Sequence, residues 1–221
     1  MGVPDEFDRG AFAASAARQE TSVPLTSLPN LLTLSRILVI PLVVASFYVS
    51  GDYARWFACA VFSAAGLTDW LDGHMARRWE QQSDLGRFLD PIADKLLVAA
   101  TLFMLAAKGR FSTEWALLPA LVILCREILV SGLREYLAGL RVGLPVSRLA
   151  KWKTGIQMVA IGVLIVGDAG PAVLPIAAIG ELLLWVAALL TLMTGYDYLR
   201  AGLTHMTRPA RGPAGKSQHL A

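Results

Sequence analysis

The chain is poor in charge: Asp, Glu, Lys and Arg make up only 17% of its 221 residues. A soluble domain of this size is about a quarter charged, so that deficit argues against an ordinary water-soluble enzyme. Hydrophobic residues reach 55%, and the mean hydropathy is +0.53. Cysteine is scarce as well. Cys59 and Cys125 each sit inside an apolar run, which leaves no disulfide framework or zinc site to build and predicts two plain buried thiols. The basic residues exceed the acidic ones by three but are scattered between apolar runs. That pattern suits an anionic membrane surface and gives no soluble basic face for nucleic acid. A secretory signal is also missing from the start, because Asp5, Glu6 and Asp8 precede any apolar core.

What the chain has in abundance is long apolar segments. From Leu28 onward six of them approach or exceed the length needed to cross about 30 Å of hydrocarbon. They cover residues 31–48, 53–71, 89–107, 115–137, 153–166 and 173–199, the fifth being the shortest. Ser50-Gly51-Asp52, Lys108-Gly109-Arg110 and Gly167-Asp168-Ala169-Gly170-Pro171 punctuate them as turns. The expected fold is therefore all-α, a polytopic membrane protein with six transmembrane helices. Residues 1–27 read as a tail with a possible surface helix, 28–204 as the membrane domain, and 205–221 as a disordered tail. Of the 20 Lys and Arg residues, 17 fall on one side of this arrangement and only Arg55, Lys108 and Arg110 on the other. The asymmetry puts both termini in the cytoplasm and the protein in the cytoplasmic (inner) membrane.

One polar stretch breaks the apolar pattern. Between two apolar runs lie Asp69 and Asp72, three residues apart, and Asp90 and Asp94, four apart. On helices each pair shares a face. Four carboxylates beside membrane-spanning segments are too costly to leave uncompensated, and a metal-loaded site on the cytoplasmic side is the expected solution. Mg²⁺ and Mn²⁺ prefer oxygen ligands, and two such ions can clamp the attacking and leaving oxygens of a phosphoryl displacement. Gly73 and Ala76 keep one helix face thin for a ligand or neighbouring backbone, and Arg77 offers a bidentate partner to phosphate. Gly86 lets the chain re-enter a helix whose first turn Pro91 fits. A divalent-cation transporter is the alternative from another functional class, although no repeat symmetry supports it.

The run Asp69-x2-Asp72-Gly73-x2-Ala76-Arg77-x8-Gly86-x3-Asp90-x3-Asp94 resembles the full signature of the CDP-alcohol phosphatidyltransferases, with eight specified residues over 26 positions. The resemblance implies six transmembrane helices, two divalent cations, usually a homodimer, and transfer of a phosphatidyl group from CDP-diacylglycerol to an alcohol. It assigns metal ligation to Asp69, Asp72 and Asp90. Asp94 becomes the base for the acceptor hydroxyl and a further metal contact. Gly73 and Arg77 would hold the cytidine nucleotide, joined by a loop hydroxyl, Ser83. Asn30, Thr33, Ala76 and Gly86 complete the expected CDP-diacylglycerol contacts.

The motif leaves the acceptor open. Arg36 lies about 9 Å into the first helix at 1.5 Å per residue, where it should face a polar cavity. Arg126, Glu127, Arg134 and Glu135 recur inside the fourth apolar segment, and Lys151 and Lys153 open the fifth. Adjacent helical residues such as Arg126 and Glu127 are not expected to face one another. Cations this deep need partners, and the alternatives are an internal ion-pair network or an acceptor phosphate. These segments resemble the bacterial branch of the family that makes phosphatidylglycerophosphate from glycerol 3-phosphate. Arg36, Arg126, Arg134, Lys151 and Lys153 then form the expected acceptor pocket, with inositol phosphate as the competing acceptor.

Overall fold

A computed structural model of the chain describes residues 28–79, 84–139 and 148–206. The described residues form six α-helices and no strand: α1 Leu28–Ser46, α2 Asp52–Trp79, α3 Asp84–Ala107, α4 Leu117–Gly139, α5 Arg148–Val166 and α6 Ile176–Met206. Short 3₁₀ turns, Glu114–Ala116 and Gly167–Ala169, precede α4 and follow α5. The turns expected from Gly51, Gly109 and Gly167 all materialise, each glycine adopting positive φ. The end of α3 shows why one is needed. Arg110 N–H donates to the Leu105 carbonyl and Gly109 N–H to that of Ala106, a Schellman closure whose left-handed residue is Gly109 at φ 58°.

Two helices run well beyond their apolar stretches. The second apolar segment stops near residue 71, yet α2 continues to Trp79. The third begins near residue 89, yet α3 starts at Asp84. Pro91 therefore lies seven residues inside α3 and not in its first turn. The fifth segment, 14 residues by apolar counting, belongs to a 19-residue helix that starts at Arg148. Apolar counting marks the hydrocarbon thickness, and polar residues that satisfy their backbone internally carry a helix past it.

α5 and α6 form the most extensive helix pair, α1 packs on both α2 and α3, and α4 packs on α6. α5 also touches α2 and α3, which makes it the central helix. One contiguous core runs through all six, with Phe62 of α2, Leu97 and Leu105 of α3, Ile123 of α4, Ile161 and Leu164 of α5 and Leu184 of α6 almost wholly buried. Around it Phe103, Leu121, Ile128, Leu189 and Met193 point outward. So does Cys125, expected to be buried, because the outer face of such a helix meets lipid and not a core. Exposed apolar surface on this scale is a liability in water and ordinary in a bilayer. Among the described residues, three helical stretches are long and apolar enough to cross a membrane: Glu114–Gly139, Lys151–Ala169 and Ile176–Arg200. Ile37–Ser46 is a shorter apolar stretch.

The α1–α2, α3–α4 and α5–α6 connections share one end of the bundle, and polar contacts stitch them together there. Arg55 of α2 donates to the Val166 carbonyl at the close of α5 (3.4 Å) and pairs with Asp168 (3.3 Å). Trp56 Nε1 donates to the Ala169 carbonyl (3.1 Å), and the Lys108 ammonium lies 3.9 Å from the centre of the Tyr48 ring. The Glu181 carboxylate accepts from Ser112 N–H, from Thr113 N–H (3.1 Å) and from the Thr113 hydroxyl (3.1 Å). Burial, reinforced by the neighbouring Arg55 charge, pushes the Arg110 guanidinium below its usual value, against a pull from Asp168. Arg55, Lys108 and Arg110, the three basic residues separated from all others by the charge count, thus gather at this single end.

Candidate active site

The aspartate stretch lies in the opposite half. α2 carries Asp69, Asp72, Gly73, Ala76 and Arg77 on continuous helix, and α3 carries Gly86, Asp90 and Asp94. The i,i+3 and i,i+4 spacings are therefore spacings along real helices. Ser83 lies outside the described residues, as do the side chains of Asp69, Asp72, Ala76, Arg77 and Asp90 on these helices and of Asn30, Thr33 and Arg36 on α1. Four carboxylates on two helices make an all-oxygen donor set, the chemistry that Mg²⁺ or Mn²⁺ selects. Asp94 is the member of that set whose side chain is described, and among the described residues no three metal-binding side chains gather at one point.

Half-buried Asp94 leads to the charged centre of the molecule. Its carboxylate attracts the ammonium of Lys153, which α5 carries in its second turn. Lys153 is only 4% exposed, and a lone buried ammonium would be strongly unfavourable. Its partner is the Glu127 carboxylate of α4, whose Oε1 accepts from Lys153 Nζ. The same oxygen receives Arg126 Nη1 at 3.4 Å. Arg126 reaches α6 with its other arm, donating from Nη2 to the Thr194 hydroxyl at 2.8 Å, while that hydroxyl donates to the Leu190 carbonyl at 2.9 Å. The guanidinium also lies 5.9 Å from the centre of the Tyr198 ring. Gly195 leaves space for this arrangement, since a Cβ there would stand 3.1 Å from Arg126 Cγ and 3.2 Å from its Nε.

The expected acceptor cations consequently divide. Arg126 and Lys153 come together in the interior, with side chains 10% and 5% exposed. Arg134 and Lys151 are exposed on α4 and α5, although the Arg134 charge still acts on Arg126. Arg126 and Glu127, expected to point apart, do meet. Their backbone positions diverge, but the long arginine stem folds back to the carboxylate that also holds Lys153. The ion-pair network considered from the sequence is thus present, and it leaves hydrogen-bonding capacity over: Arg126 Nε is buried with no partner among the described residues.

Sequence reasoning missed the α6 contribution. Thr191, Thr194 and Tyr198 are all buried and recur at i, i+3 and i+7, one helix face. That polar periodicity within an apolar helix was the available signal. Gln157 is equally buried, one turn beyond Lys153 on the same face of α5. The oxygens Gln157 Oε1 and Thr191 Oγ1 have no partner among the described residues.

Residues 26–193 match the family described as CDP-alcohol phosphatidyltransferase. The chain belongs to that family. Among its relatives, a Rickettsia felis protein is 45% identical over 175 residues, covering 79% of this chain and 94% of the relative. A Haemophilus influenzae protein is 40% identical over 176 residues, covering 79% and 92%. One from Cereibacter sphaeroides is 38% identical, covering 81% and 97%. All three bear the name CDP-diacylglycerol–glycerol-3-phosphate 3-phosphatidyltransferase. The CDP-alcohol phosphatidyltransferase match takes in the aspartate helices, Arg126, Glu127 and Lys153, and ends one residue before Thr194.

Proposed function

We propose that this protein transfers the phosphatidyl group of CDP-diacylglycerol to the primary hydroxyl of sn-glycerol 3-phosphate, giving phosphatidylglycerophosphate and CMP. The observation that carries the reading is the buried Arg126–Lys153 pair within electrostatic reach of Asp94: two cations suited to an acceptor phosphate, and on a neighbouring helix a carboxylate suited to its hydroxyl. The shared name of relatives 38–45% identical over most of the chain supports the same acceptor.

In this mechanism Asp69, Asp72, Asp90 and Asp94 hold two divalent cations, Mg²⁺ or Mn²⁺. When bound, these ions neutralise the diphosphate and stabilise charge on the departing CMP. Asn30, Thr33, Gly73, Ala76, Arg77, Ser83 and Gly86 hold the CDP-lipid. Arg126 and Lys153, with Arg36, Arg134 and Lys151, hold the acceptor phosphate by charge-assisted hydrogen bonds. Asp94 takes the proton of the acceptor hydroxyl. The freed oxygen bonds to the phosphatidyl phosphorus as the bond from phosphorus to the CMP oxygen breaks. All six helices span the inner membrane, with both termini and the site on the cytoplasmic side, and the enzyme works as a homodimer. The grouping of Arg55, Lys108 and Arg110 at the far end supports that orientation.

The test is CMP release by purified protein given CDP-diacylglycerol and a panel of glycerol 3-phosphate, inositol phosphate, serine and phosphatidylglycerol. Release that requires glycerol 3-phosphate, is abolished by EDTA and returns with Mg²⁺ is the expected result. Preference for inositol phosphate would reassign the acceptor, and divalent-ion uptake into liposomes without CDP-diacylglycerol would replace the enzyme with a transporter.

A further inference from the structure

Glu127 stands at the centre of the charged cluster, yet the reaction itself does not call for a carboxylate there. An anion next to a phosphate pocket weakens phosphate binding by simple repulsion. Its contacts indicate what offsets that cost. Lys153 is the sixth residue of α5, only about 7 Å from the start of the helix at 1.5 Å per residue. A lysine stem so close to a helix end readily snorkels toward water and takes its charge with it. Instead the ammonium is buried and turned to Glu127 Oε1.

That same oxygen receives Arg126 Nη1, so one atom fixes two cations from different helices. α4 and α5 both pack on α6 but have little direct contact with one another, and the Glu127–Lys153 pair crosses between them. Neither cation is saturated by the carboxylate. An ammonium has three N–H donors, and the buried Arg126 Nε has no partner among the described residues. The Asp94 charge, on the neighbouring helix α3, also acts on Lys153.

We propose that Glu127 is a positioning residue for the acceptor. It draws Lys153 inward and holds it against Arg126, so that the remaining donors of both converge on a phosphate monoester whose carbon chain extends toward Asp94. This role rests on the acceptor reading given above. It makes the carboxylate a determinant of acceptor affinity with no part in binding the CDP-lipid.

Steady-state kinetics of the full-length enzyme in detergent, with each substrate varied in turn, test it. Glu127→Gln should raise the glycerol 3-phosphate KM about tenfold or more, the equivalent of one well-placed charged hydrogen bond. kcat should change by less than about threefold, and the CDP-diacylglycerol KM should stay at its wild-type value. Glu127→Asp, which keeps the charge on a shorter stem, should recover part of the loss. If Glu127→Gln folds poorly because Lys153 is left unpaired, Glu127→Asp keeps a charge opposite Lys153 and should still show a smaller, selective rise in the glycerol 3-phosphate KM. An unchanged glycerol 3-phosphate KM in either variant would overturn the positioning role, as would an equal rise for both substrates accompanied by a lower Tm. Wild-type enzyme that ignores glycerol 3-phosphate would instead remove the acceptor reading, and the positioning role with it.

Discussion

The two ends of the bundle use the same residue types to opposite purpose. At the stitched end, Glu181 commits both carboxylate oxygens to the turn before α4, and Arg55 commits its guanidinium to the end of α5 and to Asp168. These are internal caps that join one helix connection to the next. At the other end Glu127 collects two cations on a single oxygen, and Arg126 keeps a buried donor with no partner among the described residues. Charges at the stitched end are filled by the connections they join, whereas Arg126 has hydrogen-bonding capacity left over. Arg110 is the exception: its Nη1 is buried at the stitched end with no hydrogen-bond partner among the described residues.

Substitutions at the two ends should separate activity from stability. The largest effect is expected from Asp94→Asn, which removes the proton acceptor and should lower the rate of CMP release by about 10²–10⁴-fold. Its melting temperature should stay close to wild type. Normal turnover by this variant would move the base elsewhere. Glu181→Ala should do the reverse. It leaves two backbone N–H groups and a hydroxyl without their acceptor, at a cost of about 2–3 kcal/mol. Thermal unfolding in detergent would register the loss, while both KM values remain unchanged. A shifted glycerol 3-phosphate KM in Glu181→Ala would mean that the ends are coupled. The smallest effect belongs to Arg55→Gln. Its ion-pair partner Asp168 is 87% exposed, so the change should cost about 1 kcal/mol or less, with activity retained.

Much of the architecture was legible because it follows from local rules. Six apolar runs and three glycine-bearing turns translate directly into six helices, and the charge asymmetry separates Arg55, Lys108 and Arg110 from the rest. The limits of α2 and α3 were not legible, since hydropathy ends where the hydrocarbon ends and the aspartate helices continue through Trp79 and from Asp84. The aspartate spacing identified a family, and residues 26–193 match it. The buried charge cluster was only partly readable. Charge density marked Arg126 and Lys153 but grouped them with Arg134 and Lys151, which are exposed, because sequence position does not reveal which face a helix turns inward. The rule that neighbouring helical residues diverge concealed the Arg126–Glu127 contact, in which side-chain length overrides backbone direction. Thr194 and Tyr198 went unnoticed because single hydroxyls in an apolar helix resemble filler until their common face is counted.

The central helix has a mechanical consequence. α5 is pinned at its last turn by Arg55 of α2 and in its second turn by Glu127 of α4. A slide of one helical turn, about 5.4 Å, would break both contacts together, so they favour a single axial register of α5. Lys153 consequently keeps a fixed depth relative to the stitched end. The ammonium is thereby set at one height along the bundle, measured from the end that carries Arg55.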